Sequence, residues 1–414
     1  MTTTCSVVRR GSRRASVVAL AVLGLLSLAA CGGSRPPAGT SGGRATSLSG
    51  PALATSLGGS DGSSWAVVDM GSTASALNSF WELFVRPAGS STWRLATPTG
   101  VASNGGLVMT QSTPGEIVTG FRPSQDLTFS PLASSGDAGA RWSADAPLNP
   151  GLADVPGALA GNSAGHLIAL TQSGDVESAA AVGAAWTRLT SLGALAKGPA
   201  GRACGLTALT AVAWTPAGAP LVAGDCSKPG VTGIFTLSAG GWHAAAPRLT
   251  GSPARSGADV VGLTTTAGRT TAVLTVGNHA TASVITAWSL DGGTHWTQSA
   301  PLPSPALASG GQPSVSFSAD GSAGLVVTPA ARQPGASQVA TIGWLGSDWD
   351  VLPALNAAPA RSASSRVATL VAAPGGAPQA LEVDGGTMTV WQLGTGNWTI
   401  AQTIRVPIPY GSSG

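Results

Sequence analysis

At 414 residues, with 43% hydrophobic and only 9% charged residues, the chain can fill a large core and lacks the charge of the usual disordered type. Its net charge of +3 is carried by the N-terminus: residues 1–30 hold four arginines and no carboxylate, and the remainder is −1. With Lys197 and Lys228 as the only lysines, no basic footprint for nucleic acid exists.

Arg9, Arg10, Arg13 and Arg14 open the chain, followed over 15–30 by an apolar, uncharged run ending in small residues. That run falls short of the about 20 apolar residues a membrane span needs. Its layout over residues 1–30 is that of a cleavable export signal. The end, Leu28-Ala29-Ala30-Cys31, resembles the lipobox of bacterial lipoproteins. The resemblance implies diacylglycerol on Cys31, cleavage before it, and N-acylation by a chain such as palmitate. The expected location is the outer face of a bacterial cell membrane, with the membrane itself as one partner. Several acyl chains hold far better than one, because each buried CH₂ contributes about 0.8 kcal/mol. Residues 31–50, rich in Gly, Ser, Thr and Pro, read as the lipidated tether. The 19 residues after Cys31 have a root-mean-square reach of about 24 Å.

Residues 51–414 carry a repeat marked by tryptophan. Seven of the 13 Trp residues end a small or polar turn and begin a short strand: Trp93, Trp142, Trp186, Trp242, Trp296, Trp349 and Trp398, spaced by 44 to 56 residues. The first repeat takes its opening strand from 51–57. In the fourth, 206–215 and 220–224 read as a hairpin around a turn at 216–219, flanked by Cys204 and Cys226. Cys5 leaves with the signal and Cys31 takes lipid, so this even pair in an oxidising compartment is expected to form a disulfide. The fifth repeat is the clearest, with strands at 259–265, 270–276, 283–290 and 295–299. The sixth follows it at 315–318, 324–328, 339–345 and 349–352. Short strands rich in Val, Thr, Ile and Leu between Gly and Asn turns, in units of about 40 to 50 residues, are the signature of a propeller. The prediction is an all-β, seven-bladed β-propeller of four-stranded antiparallel blades, without a long amphipathic helix.

Two turns match Ser-x-Asp-x-Gly-x-x-Trp: Ser135, Asp137, Gly139, Trp142, and Ser289, Asp291, Gly293, Trp296. They resemble the Asp-box (BNR-repeat) turns of sialidases and other propellers. Asp accepts hydrogen bonds from turn N–H groups, Gly takes positive φ and Trp packs on the blade, so these eight residues are expected to be structural.

The sialidase resemblance implies an arginine cluster, an Asp acid/base and a Tyr nucleophile assisted by Glu. The only tyrosine is Tyr410, outside the repeats, and Phe121-Arg122-Pro123 lacks one residue of the family's Phe-Arg-Ile-Pro motif. Glu82, Glu116, Glu177 and Glu382 are scattered, as are His166, His243, His279 and His295, with no HxH or HxxxH spacing. No catalytic residue, metal ligand or cofactor is assigned on this basis. Trp288, Trp344, Trp391 and Phe235 read as third-strand packing. The expected function is a lipid-anchored, non-enzymatic propeller binding a protein or envelope glycan at the cell surface. The alternative is a divergent sialidase-like glycoside hydrolase.

Overall fold

The computed structural model describes residues 53–71, 79–101, 106–122, 131–144, 155–250, 257–277, 281–330, 336–343, 346–355, 367–371 and 377–407. The export signal, Cys31, the tether, His279, Trp344 and Tyr410 lie outside the described residues.

The strands arrive in antiparallel groups of four. The first is β1 (Ala54–Gly58), β2 (Ser64–Gly71), β3 (Ser79–Arg86) and β4 (Arg94–Leu95); the second is β5 (Leu107–Thr113), β6 (Glu116–Phe121), β7 (Leu132–Ser135) and β8 (Ser143–Ala144). The third is β9 (Pro156–Gly161), β10 (Leu167–Thr171), β11 (Asp175–Ala179) and β12 (Thr187–Ser191). Two short helices, α1 (Leu192–Lys197) and α2 (Pro199–Cys204), lead to β13 (Leu206–Trp214), β14 (Pro220–Cys226), β15 (Gly233–Ser238) and β16 (Gly241–Ala244). The fifth group is β17 (Gly257–Thr266), β18 (Arg269–Gly277), β19 (Ala282–Ser289) and β20 (Thr297–Gln298), with β21 (Leu302–Pro303) added against β19. A one-turn helix, α3 (Pro305–Ala308), precedes β22 (Gln312–Phe317), β23 (Ala323–Thr328), β24 (Ser337–Ile342) and β25 (Asp350–Leu355). The last group is β26 (Val367–Val371), β27 (Gln379–Asp384), β28 (Thr387–Leu393) and β29 (Trp398–Arg405).

The sequence predicts seven separate blades, and here the structure differs. Five groups are separate sheets, whereas β1–β4 and β22–β25 share one eight-stranded sheet through a parallel pairing of β1 with β22, Ser56 opposite Ser316 and Leu57 opposite Phe317. Small hydroxyl residues let these two inner edges meet. Thr55 Oγ1 donates to Val315 O at 3.0 Å, Ser314 Oγ to Ala54 O at 2.8 Å, and Ser56 Oγ to Leu370 O of β26 at 2.6 Å. Exposed strand edges are a liability, and this pairing removes two of them.

Side chains alternate across each strand, so both faces of every four-stranded group are apolar and stack against neighbours. On β2, Ala66, Val68 and Met70 join Phe84 and Trp93 in a cluster with Val371, Leu381 and Met388 of the last group. Trp65 and Val67, one residue out of phase, join Leu83 in a cluster with Leu107, Ile117 and Phe121 of the second group. Similar clusters join every consecutive pair of groups along the chain. First strands pack in the series β5, β9, β13, β17, β22, β26 and β1, which places them innermost. The molecule is a β-propeller.

The periodic tryptophans lie at the start of the fourth strands, and three of them hydrogen-bond the group before. The indole N–H of Trp142 donates to Ala96 O at 2.9 Å, that of Trp296 to Ala245 O at 2.8 Å, and that of Trp398 to Pro353 O at 2.8 Å. In the first group the same role turns back to the last: Trp93 Nε1 donates to Gln379 Oε1 of β27 at 3.1 Å.

The Cys204–Cys226 disulfide is present, with Cα atoms 5.3 Å apart. It joins the end of α2 to the end of β14 rather than two neighbouring strands of a hairpin. The two helices escape a periodicity reading because neither exceeds six residues. Ser191 caps α1 by accepting from Ala194 N, and Pro199 starts α2 where a missing N–H costs nothing.

Candidate functional site

In an antiparallel group of four, the turn between first and second strands and the turn between third and fourth emerge at the same end. At that end, near the inner strands, lies a two-part recess. One part, about 320 Å³, is framed by turn and strand-end residues of five groups, among them Ser60, Gln111, Asn162, Thr265 and Ala319. The other, about 490 Å³, shares Asn162 and Thr265 and adds Trp214 and the turn at 215–218. No Asp, Glu, Lys, Arg or His side chain belongs to either lining.

The framing turns repeat one geometry. Gly62, Gly165, Gly218 and Gly321, at φ of 86°, 82°, 82° and 83°, each donate N–H to the carbonyl three residues back. The residue opening each turn also donates to the carbonyl four residues on: Gly59 to Ser63, Asn162 to His166, Thr215 to Ala219, and Ser318 to Ser322. Only a residue at ease with positive φ completes such a turn, which is why each ends on glycine. Side chains add further bonds. Asn162 Oδ1 accepts from Ala164 N and His166 N, both at 3.0 Å, and Thr215 Oγ1 accepts from Ala219 N at 2.9 Å. The backbone of the rim is therefore largely satisfied by the turns themselves.

Two side-chain amides are held in one orientation. Asn162 spends its oxygen on the two turn N–H groups, and Gln111 Oε1 accepts from Ser60 N at 3.0 Å. Their nitrogens, Nδ2 and Nε2, have no protein partner among the described residues. Thr110 Oγ1 accepts from Gly161 N at 2.8 Å, drawing β5 and β9 together beneath them. A Cβ at Gly161 would stand 2.4 Å from Gln111 O, so only glycine permits this approach. Trp214 closes one wall, its indole N–H on Ala160 O and its ring edge-on to His166 at 5.9 Å.

The two Ser-x-Asp-x-Gly-x-x-Trp turns share a second geometry at the same end. Ser135 Oγ donates to Asp137 Oδ1 at 2.9 Å and accepts from Gly139 N; Asp137 Oδ1 also accepts from Arg141 N at 2.9 Å. Ser289 Oγ donates to Asp291 Oδ1 at 2.8 Å and accepts from Gly293 N; Asp291 Oδ1 accepts from Thr294 N and His295 N. The side chain and N–H of Arg141 hold the Asp137 carboxyl down at about 2, and the N–H and ring of His295 hold Asp291 well below the usual carboxylate range. A depressed carboxylate contributes stability above its unfolded value of 3.8 and loses it as pH falls toward the folded value. Asp137→Asn and Asp291→Asn should each lower the melting temperature modestly at neutral pH and shrink the further loss below about pH 4. Acid melts of the three proteins check this; an unchanged acid limb in both variants would contradict it.

The carboxylates flagged by the sequence do not converge. Glu82 lies on β3, Glu116 on β6, Glu177 on β11 and Glu382 on β27, in four different groups. Glu116 accepts from Ser112 Oγ at 2.6 Å, Glu82 from Thr97, and Glu382 from Trp391 Nε1 at 3.1 Å. Burial raises Glu82 while the Thr97 hydrogen bond opposes it. Arg122 is exposed at the end of β6. Among the described residues, no group of three metal-ligating side chains occurs. Arg269, 2% exposed, donates to Gly321 O and stacks on Trp288 at 5.8 Å, and burial lowers it to about 10.

Asp69 on β2 was not singled out by the sequence. Its side chain is buried and its Oδ1 has no hydrogen-bond partner among the described residues; desolvation pushes it up to about 6. Here the sign is opposite to that of the turn aspartates. The native state keeps this proton to about pH 6 while the unfolded chain releases it near 3.8, so stability falls as pH rises through that window. Asp69→Asn should flatten the decline seen by thermal melts between about pH 4 and pH 6. A wild-type slope in the variant would assign the decline elsewhere.

No family model matches the chain, and no curated protein matches its sequence. Solved structures similar to it include YCF48 from Cyanidioschyzon merolae, at 14% identity and a TM-score of 0.43, covering 85% of this chain and 96% of that one. YCF48 bound to D1 peptide aligns at 15% identity and a TM-score of 0.41, covering 74% and 82%. The six-bladed fucose-recognising lectin of Aleuria aurantia aligns at 11% identity and a TM-score of 0.41, covering 86% and 96%. The class stated above rests on this chain's own strand order and interblade clusters.

The recess was missed by the sequence reading. Its signal is a five-residue turn, Asn/Thr/Ser-x-x-Gly-x, at the end of the first strand of several repeats.

Proposed function

We propose that the protein is a lipid-anchored, non-enzymatic propeller that binds a protein or an envelope glycan through the recess on its turn face. The observation that carries this reading is an uncharged recess lined by residues of six groups, four of whose turns satisfy their own backbone, with two side-chain amides whose oxygens are spent on backbone N–H groups. A preformed concave site with a few placed polar groups is what recognition of a small epitope requires. The eight-stranded sheet counts as two blades in this reading, giving seven. Support comes from the apolar clusters between all consecutive groups and between last and first. Ser135, Asp137, Gly139, Trp142, Ser289, Asp291, Gly293 and Trp296 then hold turns and interblade contacts rather than ligand.

Anchoring through Cys31 and placement on the outer face of the membrane belong to the same proposal. Labelling with a clickable fatty acid should tag the wild type, and Cys31→Ser should lose the tag and release protein to the medium. Persistent labelling of the variant would sink the anchor. For binding, the probes are two envelope fractions: polysaccharide cleared of protein by protease, and protein cleared of glycan by periodate. One fraction should be retained by the wild type and recovered unaltered in mass. Retention of neither, or recovery of a shortened ligand, would overturn the binding role.

A further inference from the structure

We infer, resting on the binding role proposed above, that the recess takes an uncharged saccharide. Its lining carries no ionisable side chain, so a carboxylate, phosphate or ammonium entering it would lose water without gaining a counter-charge. The donors it offers are neutral. Asn162 Nδ2 and Gln111 Nε2 are oriented because backbone N–H groups occupy their oxygens. Ser60 and Ser163 belong to the same lining, among the apolar walls of Pro114 and Ala267. Paired hydroxyls and amides beside small apolar surfaces complement a sugar, whose hydroxyls both donate and accept and whose C–H faces are apolar.

The same geometry disfavours a peptide. Extended peptides are captured through main-chain hydrogen bonds at a sheet edge, and polyproline segments in aromatic-lined grooves. The rim turns spend their backbone groups internally, and the inner edges of β1 and β22 are paired with each other. Trp214 is the single aromatic residue in the lining and is 6% exposed. The two lobes, about 320 and 490 Å³, share Asn162 and suit a small oligosaccharide.

The test uses detergent-solubilised full-length protein and three probe sets: neutral hexose and N-acetylhexosamine oligosaccharides, the same sugars bearing uronic or sialic acid, and uncharged peptides of matched size. Asn162→Asp and Gln111→Glu keep the oxygens that hold the turns and exchange each donor for an anionic acceptor. The neutral sugars should bind and the acidic ones should not. Each variant should bind at least about tenfold more weakly with an unchanged melting temperature. If Asn162→Asp disturbs its turn, Gln111→Glu, on β5 rather than in the turn, still decides the matter. Absence of neutral-sugar binding, or sugar binding indifferent to both variants, overturns the saccharide. Peptide binding that both variants weaken would overturn the saccharide while leaving the recess as a binding site. Failure of every probe together with both envelope fractions would remove the binding role itself.

Discussion

Trp93→Ala lowers the stability of the domain by about 3 to 5 kcal/mol, the cost of emptying a large aromatic site in a packed core. Trp93 is 2% exposed in the cluster that joins the first four strands to the last four. Its indole N–H is bound to Gln379, its own N–H to Gln402 Oε1 at 2.8 Å, and its carbonyl to Gln402 Nε2 at 2.8 Å. The Arg86 guanidinium stands 5.9 Å over its ring. Among the described residues every four-stranded group is continuous in sequence, with no strand exchanged between the first group and the last. Closure rests on this cluster, the Trp93–glutamine contacts, and the backbone bond from Gly71 N to Gly385 O at 2.9 Å. Urea unfolding measures the loss, and limited proteolysis should show the last group, 367–405, becoming accessible first. A loss below about 1 kcal/mol, the range of surface substitutions, would mean the ring closes by other means.

Removing the disulfide comes second in size. Cys204→Ser, Cys226→Ser or reduction should destabilise by about 2 to 5 kcal/mol, because the unfolded chain regains the freedom of the closed loop. Both cysteines are buried, at 4% and 0% exposure, in the cluster that also holds Leu195 of α1. α1 and α2 are too short to persist alone. The bridge pins their end to β14, and its loss should free both helices to exchange amide hydrogens faster while distant strands such as β27 stay protected. Unreduced protein should show no free thiol at these positions after alkylation. Equal unfolding midpoints with and without reductant would contradict the assignment of stability to this bond.

How much was legible follows from which signals are local. The tryptophan register located all seven fourth strands, because an indole packed at the start of the fourth strand against a neighbouring group recurs once per group. The disulfide followed from counting cysteines, but its geometry did not, since Cys204 lies in a six-residue helix with no room for an amphipathic period. Joining of β1 to β22 was hidden because 260 residues separate Thr55 from Val315, and small hydroxyl side chains carry no periodic mark. The recess was hidden for a related reason: each framing turn is commonplace, and only the tertiary fold brings the four together. Asp69 reads as one more residue of a strand until β2 is buried on both faces.

The most direct test of the account is a calorimetric titration of the protein with neutral hexose and N-acetylhexosamine oligosaccharides, in wild type, Asn162→Asp and Gln111→Glu, followed by mass measurement of the recovered sugar. The account predicts saturable binding in the wild type, at least about tenfold weaker binding in each variant, and a ligand recovered intact. Equal binding in all three proteins, or a ligand returned cleaved, would contradict it.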